Sequence, residues 1–128
     1  MEPFRFIVCG GRDFHDFKFV FDGIREFLSR FEPERTFAMA AGRARGVDTI
    51  AEMFAYAVGI PFTPFEADWN KLGPAAGPER NGRMLREFKP HATVAFPGTT
   101  GTAHMKEISR RAGVPVIEFD PVRQGLDI

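Results

Sequence analysis

Residues 92–119 read ATVAFPGTTGTAHMKEISRRAGVPVIEF. The stretch opens on an apolar run, Ala92 to Phe96, which Pro97 and Gly98 close. Helical chemistry follows from Gly101 to Ala112, and Gly113 then Pro115 stop it. A second apolar run, Val116 to Phe119, completes the unit. Strand, turn-rich link, helix and strand in this order predict two parallel strands joined by a helical crossover. The junction Ala112-Gly113-Val114-Pro115 has an echo in Val58-Gly59-Ile60-Pro61, also placed between a helix and a strand. The echo is shared junction geometry rather than a duplicated domain.

Working outward, the alternation extends over the whole chain. Phe4 to Cys9 is a buried strand closed by Gly10 and Gly11. Over residues 16–31 the period changes, and Phe17, Val20, Phe21, Ile24, Phe27, Leu28 and Phe31 fall on one helical stripe. Asp16 is its predicted N-cap, and Glu32-Pro33-Glu34 ends the helix. Thr36 to Ala41 is the second strand. A helix starting near Val47 to Thr49 carries the stripe Ile50, Met53, Phe54, Ala57 and Val58, and Gly59 and Pro61 stop it. Phe62 to Phe65 is a third strand, with Pro64 inside it. Glu66 to Gly77 reads as a long unstructured connection, rich in Gly, Pro and Ala, and a connection of that length usually has a task or is disordered. A helix from Pro78 to Phe88 precedes the quoted unit. The expectation is an α/β chain: a single Rossmann-like, three-layer domain over 1–128. Its parallel sheet has five strands in the order 3-2-1-4-5, with a polar tail after the last.

Composition bounds what such a domain does. The 128 residues suffice for one ordinary domain, and a chain of this size buries roughly two-thirds of its unfolded surface. Lys and Arg number 17, as do Asp and Glu, so the formal net charge is zero. That balance speaks against broad nucleic-acid binding and against coating an anionic membrane. The single cysteine excludes an internal disulfide and a multi-cysteine metal cage. Three histidines without ligand spacing predict no metal. No apolar run approaches a membrane span, and Met-Glu-Pro-Phe-Arg lacks a signal-peptide layout, so a cytoplasmic protein is expected. The 15 Phe against one Trp and one Tyr are read mostly as core filling.

In an open parallel sheet, ligands bind beyond the carboxyl ends of the strands, where the strand order reverses. The unusual residues all follow strands. Gly10, Gly11 and Arg12 follow the first, and Gly42, Arg43, Arg45, Gly46 and Asp48 follow the second. Asp68, Trp69 and Lys71 follow the third, and Pro97, Gly98, Thr99, Thr100, Gly101 and Thr102 follow the fourth. The last group is the predicted phosphate loop. Its glycines let backbone N–H groups face an anion, three threonines add hydroxyls, and a helix begins there. Arginines just before a helix oppose its dipole, by about 0.3–1 kcal/mol each, and a bound anion removes that conflict. Arg80, followed by Asn81, and one of Arg43 or Arg45 are expected to assist. Trp69 either stacks on a base or anchors its loop. Asp68 either meets the ligand, as ribose partner or catalytic acid, or caps a turn. Cys9 reads as a small buried residue, and His104 as exposed in a helix's first turn. Neither a Walker-type Gly-x-x-x-x-Gly-Lys-Ser/Thr nor a Gly-x-Gly-x-x-Gly occurs, so ATPase and ordinary dehydrogenase chemistry are unsupported.

Taken in order, CGGRDF at 9–14, GRARGVDTIA at 42–51, ADWNKLGPAAGPERN at 67–81 and KPHATVAFPGTTGTA at 89–103 resemble the YspA-like family of the SLOG superfamily. The resemblance implies a Rossmann-like fold and a site for a nucleotide or nucleotide-derived ligand; separately, no cofactor is expected to be required. Among relatives, the LOG phosphoribohydrolases carry Pro-Gly-Gly-x-Gly-Thr-x-x-Glu. Here Thr99 replaces the second glycine and Met105 takes the acid's place, so that chemistry would need a displaced carboxylate from Asp68, Asp48 or Glu79. The single-stranded DNA-binding protein DprA is similar at Ala44-Arg45-Gly46-Val47-Asp48 and at Arg80-Asn81. Three functions follow as expectations: binding or sensing of a phosphorylated nucleotide-like small molecule, nucleotide N-glycoside hydrolysis, or single-stranded nucleic-acid binding. LOG-like relatives also make a homodimer an expectation, although Met84, Leu85 and Phe88 fit a core-facing stripe equally well. The zero net charge conceals a predicted cation cluster of Arg12, Arg43, Arg45, Lys71 and Arg80, offset by acids such as Glu26, Glu32, Glu34, Glu118 and Asp120 elsewhere.

Overall fold

The computed structural model describes residues 2–121, so the polar tail expected after the last strand lies outside the described residues. Strand β1 (Phe4–Cys9) sits at the centre of a parallel sheet with β2 (Phe37–Ala41), β3 (Phe62–Pro64), β4 (Ala92–Ala95) and β5 (Val116–Glu118). The order is β3-β2-β1-β4-β5, as expected. The register sets Phe4 against Phe37 on one side of β1 and Phe6 against Ala92 on the other. Helices α1 (Phe17–Leu28), α2 (Val47–Val58), α3 (Trp69–Leu72), α4 (Ala76–Arg83) and α5 (Thr100–Arg111) alternate with the strands. The fold is a Rossmann-like α/β domain.

The period-two alternation of β1 divides the interior into two cores. Phe6 and Val8 face one cluster, with Val20, Ile24 and Phe27 of α1 and Phe54 of α2. Ile7 and Cys9 face the other, with Phe65, Met84 and Met105. Twelve of the 15 phenylalanines pack in or against the first cluster. Each fully buried ring contributes about 1.5–3 kcal/mol by leaving water, so the α1–α2 face carries most of the aromatic stabilisation. The opposite face lends Cys9, Met84 and Met105 to the site, beside Val8 and Phe14 from the first. Leu85 and Phe88 pack against this second core and Met84 is buried in it, so that stripe faces inward.

Local chemistry accounts for the helix ends. Asp16 caps α1, its carboxylate accepting from the Phe19 N–H at 3.0 Å. The helix stops at Leu28, three residues short of the predicted end, because Ser29 donates its hydroxyl to the Glu26 carbonyl. Gly59, at φ +80°, gives α2 a left-handed stop that a side chain would resist. Residues 66–77 correct the sequence reading. This segment is not unstructured: Asp68 caps α3, a 3₁₀ turn spans Gly73–Ala75, and α4 begins at Ala76. Pro74 sits at the start of its turn, where a missing N–H costs nothing, so proline punctuates here without preventing helix. The predicted helix 78–88 is α4 followed by a π turn over Met84–Phe88, which Lys89 ends at φ +52°. Among the described residues, no helix is long and apolar enough to cross a membrane.

Candidate functional site

Neighbouring strands β1 and β4 send their connections in opposite directions, so a crevice opens beyond their carboxyl ends. Its walls are held by glycines packed backbone to backbone. The Gly11 N–H donates to the Pro97 carbonyl at 2.7 Å. A Cβ on Gly11 would lie 3.0 Å from Gly98 Cα, so the loops after β1 and β4 touch at two glycines. Gly46 adopts φ +76° against the Gly11 carbonyl, which also accepts from the Val47 N–H at 3.2 Å. Gly42 leaves room for Arg80: a Cβ there would sit 2.6 Å from the guanidinium carbon. The glycines expected to bind ligand thus first bring three loops together.

The resulting cleft has a volume of about 730 Å³, within the range of small-molecule sites. Of the predicted residues, Gly10, Gly11, Arg12, Asp48, Trp69, Arg80 and Asn81 line it. So does the whole segment Pro97, Gly98, Thr99, Thr100, Gly101 and Thr102. Gly42, Arg43 and Arg45 instead line a smaller cleft of about 300 Å³, which shares Arg12, Ala44, Trp69 and Arg80 with the first. Neither Arg43 nor Arg45 reaches the larger cleft. Gly46, Asp68 and Lys71 line neither. The Asp68 carboxylate caps α3, accepting from the Lys71 N–H at 3.1 Å.

Helix α5 begins at the rim with Thr99 as its N-cap, and the Thr99 side chain makes no capping bond. The first N–H groups of this 12-residue helix therefore keep their positive end toward the cleft. Asn81 braces that end from α4. Its Nδ2 donates to the Gly101 carbonyl at 3.2 Å and lies 3.1 Å from His104 Nδ1. An amide N–H can only donate, so His104 Nδ1 is the acceptor in this contact. Asn81 Oδ1 accepts from Arg80 Nε at 3.0 Å, and Arg80 also donates to the Gly42 carbonyl. The Arg80-Asn81 pair thus ties β2, α4 and α5 together.

The opposite wall is Trp69. The Arg12 guanidinium lies 4.5 Å from the indole centroid, in cation–π contact. A Cβ on Gly77 would lie 3.2 Å from the edge of the same ring. The indole is 44% exposed, so it is anchored on one side while part of its surface faces solvent and the cleft.

A carboxyl, a guanidinium and a thiol complete the electrostatics. Asp48 is 6% exposed, and burial pushes its carboxyl up to about 6 against the pull of the Ala44 N–H and the Arg80 and Arg12 charges. Burial acts on Arg80 in the same sense, lowering its pKa by disfavouring the charged form, with Asp48 opposing. Desolvation raises the Cys9 thiol to about 12. The thiolate is the reactive form, so Cys9 should resist a thiol-reactive disulfide reagent at pH 8 and label fully after unfolding. Rapid native labelling, read by absorbance, would contradict this burial.

Sequence reasoning missed several lining residues. Met105, where LOG relatives carry their acid, is buried in the cleft wall, which places a thioether at that position. His104 is half-buried beside Asn81 rather than exposed. Ala44, Pro74, Gly77, Pro78 and Met84 also line the cleft. The parity of β1 and the stripe of α5 could have found Cys9 and Met105, whereas Gly77 is placed by its contact with Trp69.

Comparison with known proteins agrees with this architecture. The model of the YspA, cpYpsA-related SLOG family matches residues 4–72, from β1 to the end of α3. Gene 61 protein of Mycobacterium phage D29 is 34% identical over 122 residues, covering 90% of this chain and 95% of that protein. On its β1 and β2 loops, its strand order and this match, the chain belongs to the YspA, cpYpsA-related SLOG family.

Proposed function

We propose that the chain binds a phosphorylated, nucleotide-like small molecule in the larger cleft. The observation that carries this reading is the convergence of three loops and the start of α5 on one cavity at the β1–β4 crevice. Backbone N–H groups from Gly98 to Thr102 would hold a phosphate at the helix end. Trp69, already backed by Arg12, would present its indole face to a base. Buried Asp48 would accept from a sugar hydroxyl. Trp69 is the only tryptophan, which makes its emission a direct reporter. Titration with the 5′-monophosphates of the four ribonucleosides should give a saturable change in that emission for at least one of them. Trp69→Ala should weaken binding of the same nucleotide, followed by calorimetry, by roughly 5- to 100-fold, from about 1–3 kcal/mol of base stacking. No saturable signal and no heat with any of the four would refute the reading.

One observation supports a second reading, nucleotide N-glycoside hydrolysis. A carboxyl in the cleft wall that titrates near 6 suits proton transfer at neutral pH. Asp48 fits that role better than Asp68, whose carboxylate is a helix cap outside the cleft. Release of free base from a bound monophosphate, abolished in Asp48→Asn and retained in Asp68→Asn, would establish it. Intact nucleotide after long incubation would leave binding alone.

A further inference from the structure

The two clefts differ in charge as well as size. Arg12 and Arg80 border both. In the larger cleft these two cations face Asp13 and Asp48. In the smaller one they are joined by Arg43 and Arg45, and the four guanidinium groups meet a single lining carboxylate, Glu66. Among the described residues, the Glu66 carboxylate pairs with Arg43 alone, at 4.0 Å. Arg43 is also clamped from outside by Glu52, with two bonds of 3.0 Å. Arg45 touches Asp13 at 3.3 Å, but both side chains are largely in water and the contact is worth little. Among the described residues, Arg12 and Arg80 have no carboxylate oxygen within 4.0 Å. Arg12 lies on an indole and Arg80 on a carbonyl and an amide.

We propose that the smaller cleft is a second anion subsite, so that the ligand carries two linked phosphoryl groups, as in a nucleoside 5′-diphosphate moiety. The inference rests on the nucleotide reading of the larger cleft. The shared wall of Arg12, Ala44, Trp69 and Arg80 makes the two cavities neighbours, so linked phosphoryl groups can be divided between them. The first phosphoryl group takes the α5 end, where few cations face it. The second enters the arginine pocket, where guanidinium forks match phosphate oxygens in pairs. Arg43 holds φ +58°, uncommon for a residue with a side chain, which fixes its backbone in a bend beside the pocket. A small pocket of this kind needs no excess charge on the whole chain, in keeping with the formal net charge of zero.

The test is calorimetric titration of the full chain with the 5′-mono- and 5′-diphosphates of the four ribonucleosides. For the preferred base, the diphosphate should bind at least about tenfold more tightly than its monophosphate, a gain of ~1.4 kcal/mol. Arg45→Ala should shrink that preference severalfold. So should Arg43→Gly, which removes a second guanidinium while keeping a residue suited to positive φ. Monophosphates binding as tightly as diphosphates would overturn the second subsite and leave the nucleotide reading intact. An unchanged preference in both folded variants would also overturn it. Failure of every nucleotide to bind would overturn the subsite and the nucleotide reading together.

Discussion

Arg80→Ala should cost about 1–3 kcal/mol of stability at pH 7.5, because it leaves the buried Gly42 carbonyl and Asn81 Oδ1 without their donor and removes the nearest compensating field from the Asp48 carboxylate. The loss should be clearly smaller at pH 5. Arg80 is only 9% exposed, and its guanidinium serves the Gly42 carbonyl, the Asn81 side chain and the field around Asp48. The Asp48 carboxyl titrates at about 6 in the fold, against ~3.9 in an unfolded chain. The folded state therefore holds a proton more tightly than the unfolded state. Its contribution to stability is fully present below about pH 4 and falls as the pH rises to about 6. Across that window the wild-type chain loses on the order of 3 kcal/mol from this group. Without Arg80, the strongest charge lowering the Asp48 pKa is gone, so its titration moves higher and the decline continues toward neutrality. Urea unfolding followed by circular dichroism at pH 5 and 7.5 measures both losses. An Asp48→Asn background isolates the charge: there, Arg80→Ala should cost the same at both pH values. Equal losses in the wild-type background would mean that the lost hydrogen bonds, and not the Asp48 charge, set the penalty.

That linkage also marks how far the sequence could be read. The order β3-β2-β1-β4-β5 was legible because short apolar runs and helical stripes alternate, and each local pattern agrees with the others. The loops that reach the crevice were legible by the same logic, since strand ends in a parallel sheet share one edge. What each residue does there depends on partners distant in the chain. Arg80 meets Gly42 across 38 positions, and Asn81 meets His104 across 23. No local period encodes either contact. The division of the arginines between two clefts was hidden for the same reason: Arg43 turns toward Glu52 on its own following helix, away from the larger cavity. Residues 66–77 misled in another way. Proline and glycine there mark the starts and ends of short helical turns, and composition alone cannot separate that from loop.

Gly98→Ala should lower nucleotide affinity by roughly 10- to 100-fold, or about 1.4–2.8 kcal/mol, and stability by about 1–3 kcal/mol. The added methyl carbon would fall 2.7 Å from Thr102 Cβ and 2.8 Å from the Gly11 backbone nitrogen. Side-chain rotation moves the Thr102 hydroxyl but not its Cβ, and the Gly11 nitrogen is held by its bond to the Pro97 carbonyl. Relief must come from separating the β1 and β4 loops. That movement carries Pro97 to Thr100 away from the cleft and tilts the first N–H groups of α5 off their common target. Stability falls through lost contact, and affinity falls through lost aim, since donors fixed in place cost no reorganisation when the anion arrives. Gly101→Ala is the matched control. It lies in the first turn of the same helix, and among the described residues a methyl group there meets nothing within 4 Å beyond its chain neighbours and its own helix backbone. Alanine also favours helix over glycine by about 0.5–1 kcal/mol, so this variant should unfold no earlier than the wild type. Calorimetry of both variants with the best-bound monophosphate separates the two effects. If Gly98→Ala folds and binds as the wild type does, the phosphate cannot sit at the start of α5, and the nucleotide site must be sought elsewhere on the sheet edge.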